Sequence, residues 1–481
     1  MIDLQAAAAR TMREHGFEPD FPPGVQEQLQ KIAGQTVPSG AGIRDLRSLL
    51  WSSIDNDTSR DLDQIEAAER LPGGDIRVLI GIADVDAFVA AGSPIDRHAS
   101  IETTTVYTGV RNFPMLPEAL STGTTSLLEG ADKAAVVIEF AVAGDGSVRA
   151  EQLYRALVRN KAQLTYDAVG AWLEGRAAAP PKVAASGELQ QQLKLQDECS
   201  QRLLAARERH GALNIETIET RPILQHGDVV GVERQQKNRA TELIEDFMIA
   251  ANEVVARTLE KLGLSSIRRV VKSPERWPRI VELAKSAGAT LPAQPDPKAL
   301  NDFLRARQAA DPDHFADLSL SVIKLLGPGE YVLEKPGDAP VGHFGLAVED
   351  YTHATAPNRR FADLVTQRLV KAALAGGAAP YKDDALASIA RNCTLKENEA
   401  RKVEREMSKR IAAVAMSHRI GETFDAIVTG VTPKGTFVRV LRPHVEGLLV
   451  RGPRAVDVGD RLRVTLVRTD PERGYIDFEQ R

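Results

Sequence analysis

The sequence predicts an α+β protein in three parts: a short helical module over residues 1–43, a large mixed α/β body over 44–419, and a small five-stranded barrel over 420–481. Three observations lead there. The start holds two helix-like stretches and then a Gly/Pro-rich linker, the middle mixes apolar β-like runs with long helical patterns, and the end reverts to short alternating segments between turn signals. With 481 residues, 43% hydrophobic and 26% charged, the chain has room for two to four domains of about 100–200 residues each. That composition excludes a disordered chain, a collagen and a disulfide scaffold.

Taken in order, residues 3–15 are Ala-rich with Asp3 as a cap, and a second helical stretch follows Pro22-Pro23 over 24–33. Residues 34–42 (GQTVPSGAG) read as a linker. From Leu49 to Phe140 β-rich segments dominate, and 77–82 (RVLIGI) is an apolar run of the kind a buried strand makes. Helical patterns follow at 166–174, 187–210, 239–262, 277–287 and 361–375, separated by Pro/Gly-rich breaks, and a charged helical pattern covers 384–419. Turn signals at Pro433-Lys434-Gly435, Arg451-Gly452-Pro453, Val458-Gly459-Asp460 and 471–474 then space the barrel strands.

The net charge of -5 hides an asymmetry: residues 1–100 hold 9 Lys/Arg against 16 Asp/Glu, and residues 391–481 hold 18 against 13. Carboxylates collect divalent cations and Lys or Arg neutralise phosphates, but charge alone favours ordinary solvated surface. No run approaches the roughly 18 uncharged apolar residues that cross a bilayer. The start, Met1-Ile2-Asp3-Leu4, carries an acid where a signal peptide needs positive charge. A cytoplasmic protein with no membrane partner is expected. Cys199 and Cys393 share no metal-ligand spacing and read as reduced structural thiols.

The densest carboxylate cluster is 54–65 (IDNDTSRDLDQI). In an extended segment Asp61 and Asp63 project to one side while Leu62 turns inward, and Asp55 can fold back across the polar turn to join them. Three converging carboxylates are expensive to hold together unless a cation neutralises them, and Mg²⁺ suits an all-oxygen site that borrows substrate phosphates. A solvated acidic turn is the competing reading. Asp84-Val85-Asp86 competes for the metal role, although an Asp at a strand end is more often structural.

With its neighbours, this cluster resembles the catalytic signature of the ribonuclease II (RNB) family of 3′-to-5′ exoribonucleases. The matching blocks stand in the family's order: 82–85 (IADV), 93–97 (SPIDR), 105–107 (TVY), 114–121 (PMLPEALS), 162–167 (AQLTYD), 243–252 (LIEDFMIAAN), 342–347 (GHFGLA) and 351–364 (YTHATAPNRRFADL). The stretch 421–478 looks like an S1 RNA-binding domain, an OB-fold barrel. The resemblance implies a Mg²⁺-dependent enzyme, with Mn²⁺ as the alternative cation. It implies sequence-nonspecific, processive 3′-to-5′ hydrolysis of single-stranded RNA to nucleoside 5′-monophosphates, by a monomer without an organic cofactor.

Residue by residue, the resemblance implies that Asp55, Asp61 and Asp63 hold the metal, that Arg359 clamps terminal phosphates with Arg360 beside it, and that Glu404 is an active-site acid. It implies that Tyr107, Tyr166 and Glu245 contact the RNA end. Arg439 and Arg451, with Arg442, Arg454, Arg461 and Arg463, supply positive charge on the barrel, where Phe424 and Phe437 are either stacking platforms or barrel core. Buried core is the competing reading for the tyrosines, and solvated helix surface for the glutamates.

The sequence departs from the family pattern in four places. Gln64 stands where the acidic block usually ends in a further Asp; an amide is uncharged and cannot act as a general base. This opens a second reading, a catalytically weakened RNA-binding protein of the same fold. Asn358 precedes the two retained arginines, and Asn214-Ile215 stands where an aromatic base clamp is frequent, which implies a looser clamp. About forty residues precede the body, too few for the usual cold-shock barrels; a helix-turn-helix-like module and a helical prop are the two readings of them.

Overall fold

The computed structural model describes residues 2–216, 219–225, 228–235, 237–312, 314–433, 435–452 and 456–481. At its centre lies a six-stranded mixed sheet. Its strands are β1 (Ile43–Asp45), β2 (Trp51–Asp55), β3 (Gln64–Arg70) and β4 (Ile76–Ala83), then, beyond a short hairpin of β5 (Val106–Tyr107) and β6 (Asn112–Phe113), β7 (Asp132–Val142) and β8 (Val148–Thr165). The order is β1-β8-β2-β3-β4-β7, and β8 also pairs with β7. β1 and β2 run parallel to β8, and the other pairs are antiparallel. The 18-residue β8 therefore rejoins the far edge of the sheet and curls it back on itself.

Around the sheet stand α1 (Leu4–Glu14), α2 (Pro23–Ala33), α3 (Pro94–Glu102), α4 (Tyr166–Leu173), α5 (Pro181–Ala184), α6 (Gly187–His210) and α7 (Arg239–Lys261). Later come α8 (Trp277–Ser286), α9 (Pro297–Ala310), α10 (Phe315–Leu326), α11 (Phe361–Leu374) and α12 (Asp383–Met416). Ser186 caps α6, and Gly211, at φ 97°, ends it in the left-handed conformation that glycine adopts without a Cβ penalty. Asn238 starts α7 with a capping box. The apolar stripe of α7 (Leu243, Phe247, Ala251, Val254) and that of α11 (Leu364, Val365, Leu369) pack with Trp51, Ile80 and Phe140 in one core.

The two N-terminal helices are present, and each leans on the body. α2 buries Val25 and Ile32 in the central core, while α1 packs Ala8 and Met12, with Phe17 behind it, on Ala400, Val403 and Met407 of α12. His15 tightens that contact, with Nδ1 2.7 Å from Glu399 and Nε2 3.1 Å from Glu406.

Several elements carry no assignment from the pattern reading. The ribbon of β9 (Glu219–Gln225) and β10 (Asp228–Gln235) and the pair of β11 (Ser266–Val270) with β12 (Glu330–Glu334) form two-stranded pairings outside the central sheet. Helices α9 and α10 form a separate small core with α8 around Trp277, Phe303 and Phe315.

The last element is a closed barrel of β13 (Thr423–Thr432), β14 (Gly435–Val440), β15 (Val445–Arg451), β16 (Arg461–Asp470) and β17 (Tyr475–Gln480), in the order β13-β14-β15-β17-β16. Of its two candidate stacking rings, Phe424 is core: it meets Phe478 edge-on at 6.5 Å inside the barrel. Phe437 is half-buried. The barrel is fastened to the body by Ile411 and Ala415 of α12 and by an ion pair from Arg439 to Asp317 of α10 at 2.7 Å. Lys434, Pro453 and Arg454 lie outside the described residues. Among the described residues no helix is long and apolar enough to cross a membrane.

Candidate active site

The segment between β2 and β3 is strung across the end of the sheet. Ser126 Oγ accepts from the Leu62 N–H at 3.0 Å and donates to the Arg60 carbonyl at 2.7 Å, while the Asp63 carbonyl accepts from the Ala83 N–H at 2.9 Å. Leu62 is buried, as its inward turn predicts. The segment 356–360 arrives from the other side. It is stitched to the β5–β6 hairpin, with the Thr105 N–H donating to the Arg359 carbonyl at 2.9 Å. Thr103, at φ 59°, makes the turn out of α3 that allows this approach.

Where they meet, Asp63 is wholly buried; Oδ1 accepts from the Asn358 N–H at 2.9 Å and Oδ2 from Arg359 Nε at 3.0 Å. Burial pushes its carboxyl up to about 6, against the pull of Arg359. Burial by itself would lower the Arg359 guanidinium, but Asp63, Tyr107, Asp55 and Asp61 together hold it charged. All three aspartates thus gather electrostatically around one arginine. Asp61 Oδ2 accepts from the Tyr107 hydroxyl at 3.0 Å, and Asp55 Oδ1 from Ser59 Oγ at 2.9 Å and the Asn56 N–H at 2.7 Å. Tyr107 is 39% exposed, and its own N–H donates to Glu404 on α12 at 3.2 Å. Burial raises the Glu404 carboxyl.

The expected convergence of three carboxylates into one cation cage differs from what is found. Among the described residues no group of three or more His, Cys, Asp or Glu side chains is assembled to hold a metal. Each acid is engaged separately instead: Asp63 by Arg359, Asp61 by the Tyr107 hydroxyl, and Asp55 by Ser59 and Asn56. The donor set still fits a hard cation that arrives with its own ligands: Asp55 and Asp61 each commit one carboxylate oxygen to the hydrogen bonds above, and Mg²⁺ binds through one or two carboxylates with water and phosphate oxygens completing the shell.

Beside the acids opens a cleft lined by Gln64, Tyr166, Thr355, Arg359 and Arg360, and by Ile244, Glu245, Met248, Ile249 and Asn252 of α7. Tyr166 and Glu245 therefore reach the same cavity as Arg359. Glu245 is paired with Lys237 at 2.7 Å, and Arg360 with the buried Asp363 at 2.9 and 2.7 Å. Asn214 and Ile215 stand elsewhere: the Asn214 N–H donates to Asn301, and Ile215 packs on the α8–α10 core. On the barrel, Arg451 is exposed near Glu479, whereas Arg439 is spent on Asp317.

Five participants carry no role from the sequence reading. Met248 and Asn252 follow Glu245 at helical spacing, a stripe that could have been read from the sequence. Tyr351 lines the cleft with His353 behind it, the rings 5.7 Å apart; burial, then Arg360 and Arg269, push His353 far down, so it is neutral. Glu66 is buried on β3, and burial together with Asp55 raises its carboxyl well above the usual range.

Comparison with known proteins adds the following. The RNB domain family matches residues 43–376, and the family described as RNase II-type exonuclease C-terminal S1 domain matches residues 422–481. The chain is similar to ribonuclease R 1 of Lactococcus lactis, 29% identical over 96% of this chain, and spans 59% of that protein's length. With ribonuclease R of Thermotoga maritima it is 31% identical, over 95% of this chain and 68% of that protein. Mycoplasma genitalium RNase R, solved in complex with ribose methylated single-stranded RNA, has the same fold, with a TM-score of 0.89 at 23% identity over 100% of this chain and 78% of that one.

Proposed function

Because the chain belongs to the RNB family and carries an RNase II-type C-terminal S1 domain, we propose that it is a 3′-to-5′ exoribonuclease, sequence-nonspecific and processive, that hydrolyses single-stranded RNA to nucleoside 5′-monophosphates with Mg²⁺. The observation that carries this reading is the pairing of the buried Asp63 with Arg359, a residue that lines the cleft, with Asp61 and Asp55 on the same segment beside it. The weakened-binder reading is not favoured, because Arg359 keeps part of its guanidinium free at the cleft beside Asp63 and the chain belongs to a family of ribonucleases.

A divalent cation held by Asp55 and Asp61 would supply Lewis-acid stabilisation at the scissile phosphate and a more acidic water. The chain's own residues do the rest. Asp63 grips Arg359 through Nε alone, which leaves the outer edge of the guanidinium fork facing the cleft for a terminal phosphate. Tyr107 presents an exposed ring above Asp61, and Tyr166, Ile244 and Met248 wall the cleft, so the last bases meet stacking and apolar surfaces that do not read sequence. Glu245 is the acceptor within reach of a 2′-hydroxyl. Glu404, through the Tyr107 N–H, holds the hairpin in place.

In the division of labour we propose, residues 1–43 prop α12, residues 44–419 cleave as a monomer, and residues 420–481 feed RNA through exposed arginines such as Arg451. The buried thiols Cys199 and Cys393 suit a reducing, cytoplasmic setting. A 5′-labelled oligoribonucleotide incubated with Mg²⁺ tests the reading. A ladder collapsing to a short end product supports it, and full-length RNA retained in the bound state overturns it.

A further inference from the structure

Asn358 marks a departure of the arginine segment from the family pattern, and it is buried. Its main chain is engaged at the site, where the N–H donates to Asp63 Oδ1. Its side chain meets the loop that precedes β7, with Oδ1 accepting from the Thr125 hydroxyl at 2.5 Å. The same hydroxyl lies 2.8 Å from the Leu120 carbonyl and has one proton to give. An amide carries both a donor and an acceptor, so Asn358 meets Thr125 whichever way that proton goes, as an aliphatic side chain could not. Asn358 Nδ2 is buried without a partner among the described residues, a cost that an aliphatic side chain of the same size would avoid. The next two residues of the loop hold the acidic segment. Ser126 Oγ accepts from the Leu62 N–H and donates to the Arg60 carbonyl, and the Leu127 N–H donates to the Leu62 carbonyl at 2.9 Å. Three successive residues thus grip both halves of the site: Thr125 the arginine segment, Ser126 and Leu127 the segment that carries Asp61 and Asp63.

We propose that Asn358 is a positioning residue which, through its hydrogen bond with Thr125, sets where the Arg359 fork stands relative to Asp61 and Asp63. The proposal rests on the exoribonuclease reading above and adds to it how the cation side and the phosphate side of the scissile bond keep their spacing. Buried and absent from the cleft wall, the Asn358 side chain acts only through its neighbours. Asp63 accepts from both the Asn358 N–H and Arg359 Nε, so a slip of residue 358 moves two contacts at once. Reaction geometry is sensitive to such slips, a misplacement of about 1 Å costing up to about 10²-fold in rate.

Steady-state cleavage of a 5′-labelled oligoribonucleotide with Mg²⁺, measured on the full-length protein beside thermal unfolding, tests the pairing. Asn358→Leu keeps the size and removes the amide; kcat is expected to fall by about tenfold with KM within about twofold, while the unfolding temperature stays level or rises. Thr125→Val is expected to lower kcat to the same degree, and the double variant no further, because both changes remove one bond. Thr125→Ser, which keeps the hydroxyl, is expected to retain the wild-type kcat. Wild-type kcat in Asn358→Leu overturns the proposal, as do additive losses in the double variant or a lower unfolding temperature with kcat per folded molecule unchanged. If Asn358→Leu does not fold, Thr125→Val set against Thr125→Ser decides; if Thr125→Val does not fold either, the pair belongs to the structural frame and the proposal falls. A wild-type protein that leaves the RNA intact counts against the exoribonuclease reading itself, whereas wild-type cleavage with unaffected variants sinks Asn358 alone.

Discussion

Two Asp-x-Asp pairs sit at the same end of the sheet, and the fold treats them in opposite ways. Asp84 and Asp86 follow β4 and are closed off by bases of the protein's own: Lys371 lies 2.7 Å from Asp84 and 2.8 Å from Asp86, and Arg368 lies 2.9 Å from Asp86. Asp61 and Asp63 precede β3; Asp61 accepts from the Tyr107 hydroxyl, and among the described residues Asp63 pairs with one base, Arg359, which is 40% exposed and reaches it through a single nitrogen. The motif is the same; the difference is what α11 brings. Its buried face carries Arg368 and Lys371 down onto the second pair, whereas the loop before it delivers Arg359 to the first with room left over. An acid pair becomes a scaffold where the protein completes its charge balance and a site where it leaves that balance to a ligand.

The sharpest way to break this comparison is Asp63→Asn. The amide keeps the shape and the Asn358 contact but removes the charge that holds Arg359, so cleavage of a labelled oligoribonucleotide is expected to fall by about 10²–10³-fold, with little loss of RNA affinity in a filter-binding assay. The mirror experiment is Lys371→Met, which strips a base from the closed pair. It leaves the buried Asp84 short of its closest partner, and urea unfolding is expected to show a loss of about 3 kcal/mol with the cleavage rate per folded molecule unchanged.

His15 tests closure by a base that can lose its charge. Burial works against its proton, but the hydrogen bonds to Glu399 and Glu406 outweigh it and the imidazole is raised above 6.5. The contact between α1 and α12 is therefore fully present below about pH 6.5 and is lost as pH climbs through the higher folded value. The stability difference between the wild type and His15→Gln is expected to be about 1 kcal/mol on the acid side and to vanish on the alkaline side in unfolding scans across pH. The smallest effect belongs to the opposite extreme, a base with no buried acid. Arg451→Ala is expected to weaken RNA binding modestly and to reduce the slope of log affinity against log salt by about one.

Much of the frame was legible because helices and turns are local. The pattern over 187–210 is α6, that over 239–262 ends one residue late, and the apolar run at 77–82 lies within β4. The spacing of barrel turns found five strands for the same reason. The ribbon β9–β10 and the strand β8 were not legible: the first is held by packing on α12, and the second changes partners along its length, which no periodicity records. At the site, the acidic segment pointed to Asp55, Asp61 and Asp63 as a cation cage and the family resemblance to Arg359 as a phosphate clamp, with no contact foreseen between the arginine and Asp63. Arg359 among the acids, Glu245 paired to Lys237, and Arg439 drawn to Asp317 are contacts between residues distant in sequence or on different elements.

By itself the sequence determined the kinds of chemistry present: which segments carry carboxylates, which carry arginines, and that Leu62 turns inward between two acids. Tertiary structure decided which of those charges are left unbalanced. Charge neutralisation acts through space over a few ångströms, so the fate of Asp63, Asp84 or Glu66 depends on which side chains the packing of α7, α11 and the sheet brings within that distance. That is why two pairs with the same spelling became a scaffold and a site.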